Sequence, residues 1–174
     1  FKKLNMSPKN LNAIKIPKIL KKKLSNKKVT RLYKLFERDF DIKNSFAIAV
    51  SGGPDSLALA FLAKIYSLKN KVISKYFIVD HKLREESTDE AKQVKLTLNN
   101  FNIKSEILTW YGKKPTRNIQ SLARKKRYDL LISKCKQANI KNLVIGHHSD
   151  DLFENFFIRM IRGSGLKGLV SLEK

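Results

Sequence analysis

A chain of 174 residues, 42% of them hydrophobic, is long enough for one domain with a proper core, and it has no apolar run near the roughly 18 residues that a membrane-crossing helix needs. Its 37 Lys and Arg against 15 Asp and Glu give a net charge of +22, a field that draws polyanions, so nucleic acid is the natural partner and an anionic membrane surface the second. The single cysteine, Cys135, excludes a disulfide within the chain and a site built from several thiolates.

AT-rich coding, which favours Lys, Asn and Ile, accounts for part of the lysine excess but need not leave acids so scarce. Cys135 falls in an amphipathic stretch and reads as packing; a reducing compartment such as the cytoplasm suits it. The chain opens on Phe1 and stops at Lys174 without a clear terminator, as part of a longer protein would.

Residues 1–27 contain no acid, many lysines, Pro8 and Pro17, and read as a flexible basic arm. An organellar presequence would favour Arg over Lys. Val29, Leu32, Tyr33, Leu35 and Phe36 recur at helical spacing and predict a helix to Phe40. From there short apolar runs alternate with longer amphipathic stretches. Phe46–Val50 predicts a strand, about 55–68 a helix, Val72–Val79 a second strand and about 87–101 a second helix of the alternation. Ile103–Thr109 predicts a third strand, about 118–138 a long helix, Asn142–Gly146 a fourth strand and about 149–162 a last helix. This alternation predicts an α/β fold, a doubly wound parallel sheet with helices on both faces, preceded by the basic arm and one helix. Ligands then belong at the carboxyl ends of the strands.

At the end of the first strand stands Ser51-Gly52-Gly53-Pro54-Asp55-Ser56. Gly52 and Gly53 open backbone conformations closed to other residues and let an anion approach the main chain. Pro54 suits the first turn of a helix, where its missing N–H costs nothing. The amides and dipole of the helix start favour negative charge, and Ser51 and Ser56 carry hydroxyl donors. Asp55 would repel phosphates unless a cation lies between, which implies Mg²⁺. The Gly-Lys-Ser/Thr ending of a Walker A loop is missing. A plain glycine turn explains two glycines, but not their combination with two serines and an aspartate.

Three further blocks sit at strand ends or on one helix. Val79-Asp80-His81-Lys82-Leu83-Arg84 ends the second strand; Ser87 and Glu90 beyond it form a capping-box pattern, which leaves Asp80-His81 unexplained. Arg124, Arg127 and Tyr128 share a helix face and suit phosphate or RNA, whereas Lys125 and Lys126 suit a solvated face. His147, Asp150, Asp151 and Glu154 cluster after the fourth strand as base or metal candidates. N-capping by Ser149 with acids in the first turn explains the aspartates but does not call for paired histidines. Gly163, Gly165 and the surrounding cations make a loop that reads either as a phosphate clamp or as a helix C-cap and linker.

The hexapeptide resembles the pyrophosphatase loop of the N-type ATP pyrophosphatases, which cleave ATP between its α and β phosphates and adenylate a substrate oxygen. In this order, over residues 44–170, the five blocks resemble the tRNA(Ile)-lysidine synthases. One cysteine argues against the sulfur-transferring relatives. The resemblance implies a PP-loop catalytic domain, of adenine nucleotide α-hydrolase-like fold, over residues 28–174, without the carboxy-terminal tRNA-binding domains of many members. It implies ATP and Mg²⁺ as cofactors, and as substrates free L-lysine and the tRNA(Ile) with a CAU anticodon, whose wobble cytidine becomes lysidine. By the same resemblance Ser51, Gly52, Gly53, Pro54, Asp55 and Ser56 hold ATP, and Val79, Asp80 and His81 border the adenine. Arg84, Arg124 and Arg127 serve phosphate or tRNA, and Asp55 and Asp151 hold the metal. His147, Asp150, Asp151 and Glu154 bind magnesium, orient the lysine ammonium or take its proton. A cytoplasmic enzyme is expected. The alternatives are a PP-loop pyrophosphatase with another acceptor and a non-catalytic nucleotide- or RNA-binding protein.

Overall fold

The computed structural model describes residues 16–112 and 119–146. The elements run α1 (Lys18–Leu24), α2 (Lys27–Asp39), β1 (Phe46–Ala49), α3 (Pro54–Asn70), β2 (Ser74–Asp80), α4 (Ser87–Asn100), β3 (Glu106–Thr109), α5 (Ile119–Gln137) and β4 (Asn142–Ile145). The four strands form one parallel sheet in the order β3-β2-β1-β4. The chain thus steps outward from β1 through β2 to β3, then returns over α5 to the other side of β1. Strand order reverses between β1 and β4, and crevices open at such points.

β1 is buried along its whole length, as a strand covered on both faces must be. Its side chains alternate between two cores. Phe46, Ile48 and Val50 join Tyr76 and Ile78 of β2 against α3 and α4, with Leu20 of α1 and Tyr33 of α2 in the same cluster. Ala47 and Ala49 join Phe77, Leu108, and Leu131 and Cys135 of α5 on the other face. Cys135 is a buried packing residue, as its place in the sequence implies, and burial pushes its thiol pKa up.

The expected strands at Val72 and Ile103 begin two and three residues later than the hydrophobic pattern suggests, at Ser74 and Glu106. The reason is a helix stop used three times. α3, α4 and α5 are each followed by a left-handed residue, Lys71 (φ 55°), Asn102 (φ 56°) and Asn139 (φ 52°). The next amide, of Val72, Ile103 or Ile140, bonds back to the carbonyl of Ser67, Leu98 or Cys135. These are Schellman closures, and the apolar residue that completes each one packs against the helix it ends.

The basic arm expected over residues 1–27 gives way over its last part, where residues 18–24 are helical and Leu20 is fully buried; residues 1–15 lie outside the described residues. α2 starts at an Asn26 cap, whose Oδ1 accepts from the amide of Lys28. It is fixed to α3 through Glu37, which accepts from Tyr33 Oη at 2.7 Å and from Lys69 Nζ at 2.9 Å. Phe40 extends this contact by packing edge-on against Phe46 and Tyr66. No helix among the described residues is long and apolar enough to cross a membrane.

Because Leu20 is the buried anchor of α1, Leu20→Ala should lower unfolding stability by about 2–4 kcal/mol. A urea titration checks this; a loss within about 0.5 kcal/mol, the level of an ordinary surface change, would show α1 to be unpacked in solution.

Candidate functional site

The loop after β1 is held by one hydroxyl. Ser56, only 2% exposed, accepts at Oγ from the Gly52 amide (3.1 Å) and from Ser51 Oγ (3.2 Å), and donates to the Gly53 carbonyl (2.9 Å). Gly52 sits at φ 96°, which side chains rarely tolerate, and a Cβ there would lie 2.6 Å from Val94 Cγ2. Gly53 is the N-cap of α3 and Pro54 opens it, with no side chain capping the helix. The 17-residue helix therefore presents its positive dipole end to the loop. Gly146 closes the far side: a Cβ on it would come within 3.2 Å of Ser56 Cα.

A cavity of about 250 Å³ lies where β1, β2 and β4 end, lined by Val50, Ser51, Val79, His81, Arg127 and Gly146, with Phe77 and Leu131 among its apolar walls. This is the crevice that the strand order predicts. Its polar wall is a pair contributed by β2 and α5: Arg127 Nη2 lies 3.2 Å from His81 Nε2. A guanidinium has no acceptor, so a hydrogen bond across this pair requires His81 to accept at Nε2, which is the tautomer with its proton on Nδ1. Burial, reinforced by Arg127 and Arg84 and opposed by Asp80, holds the His81 pKa below the usual imidazole value. Burial also lowers that of Arg127, and no carboxylate among the described residues pairs with it.

The remaining predicted residues separate. Asp80, 2% exposed, turns its carboxylate to the start of α4, accepting from Ser87 Oγ (2.8 Å), Thr88 Oγ1 (2.8 Å) and the Lys82 amide (3.0 Å). Burial pushes its pKa upward, but these donors outweigh burial and hold it below the usual aspartate value. The capping box expected of Ser87 and Glu90 is not formed: Ser87 is inside the helix and bonded to Asp80, and Glu90 pairs with Arg84 at 2.9 Å. Arg84 is thus exposed and engaged at the α4 start. Arg124 is exposed too, its guanidinium 5.7 Å from the Tyr128 ring centre. His147, Asp150, Asp151, Glu154 and the loop at Gly163 lie outside the described residues.

Asp55, in the first turn of α3, puts an exposed carboxylate beside the loop. No group of three or more His, Cys, Asp and Glu that could hold a metal occurs among the described residues. One carboxylate nonetheless fits a cation such as Mg²⁺, which is commonly held by one or two carboxylates together with substrate phosphates and water.

A family model described as a PP-loop domain matches residues 22–174. The chain belongs to the PP-loop family. It is 48% identical over 132 residues to a tRNA(Ile)-lysidine synthase of Orientia tsutsugamushi (strain Boryong), an alignment covering 76% of this chain and 30% of that protein. It is 42% identical over 128 residues to one of Rickettsia bellii (strain OSU 85-389), covering 74% and 30%. The chain thus spans about 30% of the length of these curated relatives. Among solved structures it resembles the U34-tRNA thiolase NcsA from Methanococcus maripaludis with its 4Fe-4S cluster, with a TM-score of 0.69 and 20% identity over 82% of this chain and 53% of that one. At that identity the likeness is one of fold.

Gly146, Leu131 and Phe77 were not singled out as site residues by sequence. Gly146 had a signal, a glycine directly after an apolar strand. Leu131 and Phe77 had none, because a cavity wall and a core face use the same side chains.

Two outcomes test this geometry. Gly52→Ala should destabilise the fold by roughly 1–3 kcal/mol through its positive φ and the Val94 contact, measured by thermal unfolding. Asp80 binds fewer protons folded than unfolded, so its stabilisation is complete above the ordinary aspartate pKa and is lost as pH falls through the lowered folded value. Asp80→Asn should cost about 1–3 kcal/mol near neutrality and flatten the acid limb of the stability–pH curve.

Proposed function

We propose that the chain is the ATP-activating part of a tRNA(Ile)-lysidine synthase. The observation that carries the reading is the 48% identity over 132 residues to a relative of that name. The loop geometry and the charge support it. An anion-binding turn sits at the strand ends, and residues 18–34 present Lys18, Lys21, Lys22, Lys23, Lys27, Lys28, Arg31 and Lys34 to solvent without an intervening acid. Such a stretch suits a polyanionic substrate.

The reaction balances as two displacements. The carbonyl oxygen at carbon 2 of the wobble cytidine attacks the α-phosphate of ATP and pyrophosphate leaves. The amine of free lysine then attacks that carbon, gives up a proton to a base, and AMP leaves with the original oxygen. The amides of the loop and α3 bind phosphate oxygens, and Arg127 offsets their charge. Val79 and the apolar cavity wall exclude water beside the base. Asp55 would hold Mg²⁺, which would supply positive charge against the charge developing on the phosphates. Among His147, Asp150, Asp151 and Glu154 are the candidates for a second metal ligand and for the lysine base. Arg84 and Arg124, being exposed, would meet tRNA phosphates.

With the full-length protein, ATP, labelled lysine and a tRNA(Ile) bearing a CAU anticodon, label should enter the tRNA as AMP and pyrophosphate form. Pyrophosphate release with another acceptor, and no labelled tRNA, would assign the chain to a different PP-loop reaction. Asp55→Ala should reduce lysine transfer by about 100-fold or more with an unchanged circular dichroism spectrum; transfer within a few-fold of wild type would remove Asp55 from the mechanism.

A further inference from the structure

We propose that His81 is a positioning residue: as neutral imidazole it holds the Arg127 guanidinium in the cavity wall as the anchor for the phosphate oxygens of ATP. The inference rests on the reading of this cavity as the ATP site and gives the side chain of His81, expected by resemblance only to border the adenine, a role in holding Arg127.

Arg127 comes from the middle of α5 and His81 from the residue after β2, 46 positions earlier, so their contact fixes one element against the other at the site. A half-buried guanidinium usually meets a carboxylate. Here its bonded neighbour is an imidazole nitrogen, and no carboxylate among the described residues is paired with it. The difference matters for an anion site. A carboxylate would fix Arg127 but cancel its charge, and an incoming phosphate would have to displace it. A neutral imidazole accepts one N–H, fixes the fork in the same way and leaves the full positive charge for the ligand. The remaining guanidinium donors stay available for bidentate contact with phosphate oxygens.

The same chemistry makes the contact sensitive to acid. Protonation converts Nε2 into a donor, so the bond is lost and two cations face each other 3.2 Å apart. Of the charged groups facing His81, Arg127 from α5 and Arg84 from the segment before α4 oppose protonation, and Asp80 of β2 favours it. Asp80 is itself engaged by three donors at the start of α4. The neutral form therefore prevails at neutral pH and gives way below the ordinary imidazole range.

Calorimetric titration of the full-length protein with ATP and with inorganic pyrophosphate, between about pH 5.5 and 8.5, tests this. His81→Ala and Arg127→Ala should each weaken both ligands by about tenfold or more, and the double variant should be no weaker than the worse single one. His81→Gln, whose Oε1 can accept from the same N–H without titrating, should restore most of the affinity. It should also remove the part of the acid loss that wild type shows beyond the ligands' own protonation. In nitrogen NMR of the wild type, His81 Nε2 should carry the signature of an unprotonated acceptor, and Arg127→Ala should change it. Additive losses, an acid limb unchanged in His81→Gln, affinity that rises on acidification, or an effect confined to tRNA binding would each overturn the proposal. Coupled ATP binding without lysine transfer would sink the lysidine reading and leave this one standing. Lysine transfer with His81 and Arg127 uncoupled would do the reverse.

Discussion

Ser56 is buried beneath the loop it organises, and its hydroxyl makes three hydrogen bonds there. That arrangement depends on two positions without side chains. Gly52 must adopt a positive φ so that its amide turns inward to Ser56, and Gly146 must let the end of β4 approach the backbone of α3. If either approach is blocked, the start of α3 moves away from the strand ends, and the dipole, the cavity and the amides no longer converge. Much of the remaining fold supports this constraint. The parallel sheet buries β1 on both faces, so the strand that feeds the loop cannot shift, and α2 with Glu37, Tyr33 and Lys69 holds the far end of α3.

Sequence made the sheet legible because a doubly covered strand reads as a continuous apolar run, and Phe46–Val50 is one. It made the turn from β1 into α3 legible because glycines, a helix-starting proline and hydroxyl residues have few other reasons to stand together after such a run. It misplaced two strand starts for a physical reason. Val72 and Ile103 are hydrophobic because they close the preceding helices, and hydrophobicity alone does not distinguish a helix stop from a strand start. Nor did lysine-rich composition reveal α1, since one buried leucine at position 20 supplies its fully buried contact and a single residue carries no period.

The Val79–Arg84 block shows the limit most clearly. Its residues are adjacent in sequence but divide among three tasks. Val79 and His81 face the cavity, Asp80 locks the start of α4, and Arg84 pairs with Glu90. Strand alternation separates Asp80 from its neighbours, and which side serves the ligand depends on where α4 and α5 pack. The same holds for Arg124 and Arg127. Both lie on one helix and look equivalent in sequence, yet one is exposed on Tyr128 and the other sits in the cavity wall.

The scarcity of acids gives these placements a common logic. Glu37 takes Lys69 and Tyr33, Glu90 takes Arg84, Asp89 takes Lys92 and Glu106 takes Lys134. Apart from Glu37, these acids lie on α4 or on β3 at the sheet edge, and none of them lines the cavity. Exposed pairs of this kind contribute little stability, about 0–1 kcal/mol each, so their main effect is on where charge remains. Among the described residues that line the cavity the balance is uneven: a guanidinium and an imidazole, with no carboxylate, against apolar walls. A half-buried cation is screened less than a solvated one, so charge for charge it attracts an anion more strongly than a surface lysine does. Surface charge of that kind can gather a polyanion; Arg127 and the Ser51–Ser56 turn lie apart from it, at the strand ends where we propose that the nucleotide settles.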